Sequence, residues 1–186
     1  MKRAFLVFLS AVLSIALFSG CASNVTDTVS KNNNPNRTIN GSLKSFNAST
    51  LDGVGFTSGD LAKYDITVIN FWGTYCGPCI NEMPDLASFK QTLPSNINFI
   101  TFCVDAANNE DAAQSIIDNA GLAATVITAA DGDFIEVLNQ VKYIPTTLFI
   151  DKDGKIVGTE IIGGVRNVDE TFTAHLNEAL AESGAS

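Results

Sequence analysis

Along the chain the apolar positions fall into runs of two kinds. Residues 66–72 (Ile-Thr-Val-Ile-Asn-Phe-Trp) are β-branched or aromatic almost throughout, the pattern of a strand buried on both faces. That run enters Gly73 to Pro78 directly. Residues 79–92 then take helical spacing through Ile80, Met83, Leu86 and Ala87, and Pro84 within them predicts a kink or an early break. Residues 98–105 read as a second strand. Residues 110–120 read as an amphipathic helix closed by Gly121, a plausible left-handed cap. Further on, residues 147–151 and 155–162 read as strands joined through Asp151-Lys152-Asp153-Gly154, a hairpin signal. Residues 168–181 form a last helix with Phe172, Leu176 and Leu180 on one face. A strand–helix–strand–helix unit favours a parallel strand pair. The pattern therefore predicts an α/β domain over residues 42–186, with a central mixed sheet flanked by helices and no internal repeat.

The N-terminus has a different character. Lys2 and Arg3 precede an apolar run over residues 4–18. As a helix it would span roughly 22 Å, short of a bilayer core of about 30 Å, so it reads as an export signal over residues 1–20 rather than a membrane span. It ends in Leu17-Phe18-Ser19-Gly20-Cys21. These residues resemble a bacterial lipobox, which implies lipidation at Cys21, although Phe18 stands where that motif more usually has Leu. An ordinary cleaved signal, with Cys21 incidental, is the plainer alternative. An uncleaved leader serving as the anchor is a third reading, and all three put the domain outside the cytoplasm. Residues 22–41 are rich in Asn, Ser and Thr and nearly free of large apolar side chains, a composition that does not order itself. Residues 21–41 are thus expected to be a flexible tether reaching roughly 25 Å, held to a lipid bilayer through Cys21.

Composition narrows the partners. The chain of 186 residues is 46% hydrophobic and 17% charged, and about 145 of them remain for one ordinary domain. Its net charge is −9, and losing Lys2 and Arg3 would take it to −11. No basic run follows the leader, which excludes the electrostatic footprint of a nucleic-acid binder.

The chemistry lies in Cys76-Gly77-Pro78-Cys79, at a strand-to-helix junction. Free N–H groups and the macrodipole at a helix start favour an anion, so Cys76 is expected to be the attacking thiolate. Cys79, one turn on, is placed to resolve a mixed disulfide. Pro78 is tolerated in a first turn, where N–H groups lack intrahelical acceptors. Two other readings exist. A structural disulfide over so short a loop would stabilise little. Half of a zinc site needs a second ligand pair, and only Cys103 and the lone histidine, His175, remain. No metal or other cofactor is expected. Cys103 reads first as a small core residue and second as a third redox partner, His175 as a helix-surface residue, and Trp72 first as packing and second as an active-site wall.

Residues 70–84 (Asn-Phe-Trp-Gly-Thr-Tyr-Cys-Gly-Pro-Cys-Ile-Asn-Glu-Met-Pro) resemble the active-site segment of the TlpA/ResA-like family of membrane-anchored thioredoxins. The likeness continues in residues 99–105, in residues 143–151 with Ile144-Pro145-Thr146, and in Asp153-Gly154-Lys155. It covers roughly residues 43–182, and it implies a thioredoxin-like fold. It further implies that Pro145 is a cis-proline facing the cysteines and that Ile144, Pro145, Trp72 and Tyr75 line the substrate groove. Tyr75 replaces the family's usual Trp. Glu82 matches the acidic residue that tunes the cysteines and carries protons; i+3 spacing sets it one turn from Cys79, where a partly buried carboxylate can act as a base. An exposed acid favoured by the helix dipole is the alternative. Asn70 stands where cytoplasmic thioredoxins have a buried Asp.

The resemblance implies a monomeric thiol–disulfide oxidoreductase acting on exported proteins such as apocytochrome c, and recharged by a membrane electron donor of the CcdA/DsbD type. Gly-Pro between the cysteines is the thioredoxin pair, whose potential of about −270 mV contrasts with about −120 mV for the oxidant DsbA, and this favours reduction. A non-catalytic module holding a peptide or metal in the same groove is the rival reading. Peroxidase (antioxidant) activity is not expected, because Thr74-Tyr75-Cys76 lacks the peroxiredoxin Thr-x-x-Cys spacing.

Overall fold

The computed structural model describes residues 36–185. The expected signal, Cys21 and most of the expected tether lie outside the described residues. In chain order the elements are β1 (Asn47–Thr50), β2 (Phe56–Thr57), α1 (Ser58–Leu61), β3 (Ile66–Trp72), α2 (Gly77–Thr92), β4 (Ile97–Cys103), a 3-10 turn (Ala106–Asn108), α3 (Glu110–Ala120), β5 (Thr125–Ala130), α4 (Asp133–Leu138), β6 (Thr146–Asp151), β7 (Ile156–Ile162) and α5 (Val168–Ser183). The described strands form one sheet in the order β2-β1-β5-β4-β3-β6-β7. The pairs β3/β4 and β4/β5 are parallel, while β3/β6, β6/β7, β1/β5 and β1/β2 are antiparallel. This is the mixed sheet, flanked by helices, of a thioredoxin-like fold.

Alternation along the strands sorts the core into two layers. Ile66, Val68 and Trp72 of β3 join Met83, Leu86 and Phe89 of α2 and Phe172 and Leu176 of α5 on one face. Ile69 and Phe71 join Phe134 and Val137 of α4 and Leu61 of α1 on the other. Phe89 meets Phe172 edge-on at 5.4 Å, which fastens α2 to α5. The strand β3 is central, and all seven of its residues are buried. That accounts for its unbroken apolar run.

Three expectations need correction. Of the kink or early break expected at Pro84, the break does not occur, and α2 continues to Thr92. The missing N–H costs about 3 kcal/mol, and the burial of Met83, Leu86, Ala87 and Phe89 along the same helix outweighs it. His175 is half-buried rather than on the surface: its ring stacks on Phe149 and its Nδ1 lies 2.9 Å from the Thr159 carbonyl. The packed domain also begins before residue 42. Arg37 is buried and donates to the Ile156 and Gly158 carbonyls of β7, and Ile39 is buried in the second core layer. Thr38 donates its N–H and its hydroxyl to Glu160. Composition hid this because fixed partners on the domain, not self-burial, hold the segment.

Candidate active site

The site forms where β3 and β4 end side by side. The Trp72 carbonyl accepts the Val104 N–H at 2.8 Å, and beyond it the chain turns through Gly73-Thr74-Tyr75. The Cys76 N–H closes that turn on the Gly73 carbonyl at 3.0 Å. Cys76 is then the N-cap of α2, with extended backbone, and its sulfur accepts the Cys79 N–H at 3.3 Å. A sulfur anion at this position is met by a hydrogen-bond donor and by the positive end of a sixteen-residue helix. Cys76 and Cys79 are joined as a disulfide. Both sulfur-bearing residues are buried, Cys79 more completely than Cys76.

The Ile144–Pro145 peptide bond is cis, and the Ile144 carbonyl oxygen lies 3.7 Å from Cys76 Sγ. When the pair is reduced, that carbonyl is an acceptor for the Cys76 thiol. Pro145 is tied to the end of β7 by the Gly163 N–H, 2.8 Å from its carbonyl oxygen. The structure thus brings Cys76, Cys79, Ile144 and Pro145 together. Tyr75 stands beside them 72% exposed, and Tyr143 is 71% exposed. Trp72, by contrast, is fully buried under the pair and offers no surface to a substrate. Its place is in packing.

Glu82 is 6% exposed, so it is not the exposed helix-start acid of the alternative reading. Its Oε2 accepts the Val165 N–H at 2.9 Å. Burial raises its pKa above the ordinary carboxylate value, the Val165 bond opposes that rise, and Asp85 adds to it. A side chain at Gly164 would come within 3.4 Å of Glu82 Oε2, 3.7 Å of Pro78 and 4.0 Å of Pro145. The carboxylate therefore sits where α2, the cis-proline and the loop after β7 converge. Asn70 is buried on β3 and donates to Thr147 at 3.0 Å. It supplies no charge there, whereas Glu82 is a buried carboxyl on α2.

Two parts of the site escaped the sequence reading. The Gly163-Gly164-Val165 loop follows β7 and reaches back to Glu82; the glycine doublet was its visible signal. Asp105 binds the turn ahead of Cys76, and nothing in local spacing announces a contact from another strand end. Cys103 is buried as expected, with its thiol 3.3 Å from Asp105 Oδ1, and burial pushes its pKa up to about 12. Burial of this kind favours the thiol over the thiolate. Among the described residues no cluster of His, Cys, Asp and Glu could hold a metal ion.

The profile of the Redoxin family matches residues 35–174. Among curated proteins, the thiol-disulfide oxidoreductase ResA of Halalkalibacterium halodurans is 30% identical over 105 residues, 56% of this chain and 58% of that protein. The thiol:disulfide interchange protein HelX of Rhodobacter capsulatus is 29% identical over 126 residues, 68% of this chain and 67% of its own. The chain spans about half to three fifths of the length of the ResA proteins it matches. Among solved structures, a thiol:disulfide interchange protein of the thioredoxin family from Chlorobium tepidum superposes with a TM-score of 0.57 at 24% identity, covering 74% of this chain and 97% of that one, a likeness of fold. With the profile matched across most of its length and both cysteines in place at the head of α2, the chain belongs to the Redoxin family, among its TlpA/ResA-like thioredoxin-fold members.

Proposed function

We propose that the protein is a thiol–disulfide oxidoreductase that reduces disulfides of exported proteins, apocytochrome c among the candidate clients. The observation that carries this reading is the Cys76–Cys79 disulfide at the N-terminus of α2, faced by Ile144 and the cis-proline Pro145. In the reduced protein the Cys76 thiolate attacks one sulfur of a client disulfide, and the other client sulfur leaves as a thiolate. Cys79 then attacks Cys76 Sγ in the mixed disulfide, and the second client thiolate departs. The client gains two electrons and the pair becomes the disulfide. Glu82, whose proton affinity burial raises, serves when ionised as the base that takes the Cys79 proton. Ile144, Pro145 and the exposed Tyr75 offer the backbone and ring surface for the client chain.

A membrane electron donor of the CcdA/DsbD type returns the two electrons in this reading, and lipidation at Cys21 holds the domain beside it. Among the described residues no helix is long and apolar enough to cross a membrane. Cys21→Ser should move the protein from the membrane to the soluble fraction and abolish acyl labelling; labelling that survives the change would overturn the anchor. Insulin-disulfide reduction with dithiothreitol tests the activity. Wild type should accelerate it, and Cys76→Ser and Cys79→Ser should not. A wild type no faster than Cys76→Ser would favour the non-catalytic binding module. The reduction potential of the pair decides direction, with a value near that of thioredoxin expected.

A further inference from the structure

Asp105 lies just past β4 and takes no part in the exchange described above, yet four donors converge on its carboxylate. Oδ1 accepts the Thr74 backbone N–H at 2.9 Å and the Cys103 thiol at 3.3 Å. Oδ2 accepts the Thr74 hydroxyl and Asn109 Nδ2, the latter at 3.2 Å. Burial alone would raise its pKa, but the bonds from Thr74 and Cys103 outweigh that effect and hold it below the ordinary value. It is therefore a fixed anion that takes both polar groups of Thr74. Gly73 belongs to the same contact. A Cβ there would lie 3.1 Å from the Tyr75 ring, 3.2 Å from Ile144 Cδ1 and 3.3 Å from Asp105 Oδ1. A side chain at 73 would press on all three, so the glycine there suits this close approach and not a need of its backbone angles.

Only the turn through Thr74 and Tyr75 separates this clamp from Cys76, and the turn is closed at its other end by the Cys76 N–H on the Gly73 carbonyl. Thr74 is thus held at N–H and hydroxyl two residues ahead of Cys76, whose sulfur accepts the Cys79 N–H. We propose that Asp105 is a positioning residue: through Thr74 it fixes the turn that sets Cys76 Sγ on the helix N-terminus, and so tunes how readily the Cys76 thiolate forms. This builds on the redox reading of Cys76. The anion itself opposes a second negative charge nearby, so the clamp acts by geometry, and its test must keep the charge.

The test is the pH profile of Cys76 alkylation by iodoacetamide in the reduced full-length protein, followed for the Cys76 peptide by mass spectrometry. Thr74→Val removes one hydroxyl and leaves both Glu82 and Asp105 in place. Asp105→Glu keeps the charge and displaces the carboxylate by a methylene. Each should move the Cys76 midpoint up by about one pH unit, a roughly tenfold smaller thiolate fraction below it. Thr74→Ser, which retains the hydroxyl, should restore the wild-type midpoint. If Thr74→Val unfolds cooperatively like wild type and leaves the midpoint where it was, Asp105 has a structural role only, and the proposal fails even if Asp105→Glu does not fold. Alkylation needs no client protein. A wild type that alkylates at Cys76 but reduces no disulfide would overturn the proposed function and leave the clamp standing.

Discussion

Arg37 and Glu182, almost at opposite ends of the described chain, meet at 2.7 Å beside the outer strand β7, and the same guanidinium nitrogen donates to the Gly158 carbonyl. Glu182 also accepts the Gly158 N–H at 2.9 Å. The Arg37 side chain has no exposed surface, whereas Glu182 keeps about a quarter of its own. Truncating Arg37 removes a donor from two strand carbonyls and leaves Glu182 with only the Gly158 N–H and Lys155. Arg37→Met should cost roughly 2–3 kcal/mol in urea unfolding. Arg37→Lys should recover little, since an ammonium cannot span three acceptors. Burial raises the pKa of Glu182, but Arg37 and Gly158 outweigh it and hold the value below 4.5. The stability that the pair adds is full above that ordinary value and is lost as pH falls through the lowered one. The gap between wild type and Arg37→Met should therefore narrow in acid. A gap that stays constant down to the acid transition would remove Glu182 from the account.

The two cysteines should behave unequally. Cys76 is the cap and accepts the N–H of Cys79, whereas Cys79 is enclosed in the helix. Cys79→Ser should accumulate mixed disulfides with clients, and Cys76→Ser should trap few. Equal yields on non-reducing gels would contradict this order of attack.

Glu82→Gln separates two effects of one carboxylate. Removing a negative charge near the pair should lower the apparent pKa of the thiols, so thiolate absorbance at neutral pH should rise. Turnover with a protein disulfide should fall, by about 10²-fold or more if Glu82 is the base. Ionisable groups sharing one site are described by macroscopic values, so those are compared. Stability gives an independent reading. Because burial raises the pKa of Glu82, the wild type loses stability as pH rises from about 4.5 through the higher folded value. Glu82→Gln should not show that loss. Identical curves for both proteins would reduce Glu82 to a packing residue.

Gly158 turns β7 at φ +66°, where a Cβ would lie 3.0–3.1 Å from Ala179 of α5. Gly158→Ala combines backbone strain with a crowded helix–strand contact. It should lower stability by roughly 1–3 kcal/mol without changing Cys76 alkylation. A thermal melt alongside the alkylation profile checks both halves.

The elements that the sequence revealed are those with a full period or a sharp boundary. The strand β3 is buried throughout, α3 ends on Gly121 at φ +67°, and β6 and β7 flank Gly154. The strands β1 and β2 have four and two residues and α4 has six, too short for a period to emerge. The strand β5 is only partly buried and ends in Ala129-Ala130, which favour no strand. At the site, Cys76 and Cys79 were legible from their spacing at a strand-to-helix junction, and Pro145 only through the family resemblance. The partners of Glu82 and Thr74 were not, because Val165 and Asp105 reach them from distant segments through a backbone N–H and a side chain that could sit anywhere.

The hydrogen bond from Val165 to Glu82 spans 83 positions, and this sets a schedule for the newborn chain. Both cysteines leave the ribosome long before the residue that anchors their neighbouring carboxylate has been made. Any disulfide the nascent polypeptide acquires in that interval forms without the cis-proline segment and without the loop that holds Glu82. The pair thus gains its full surroundings only once the segment after β7 has been made, and a product truncated before it would retain thiols without the Val165 anchor of Glu82.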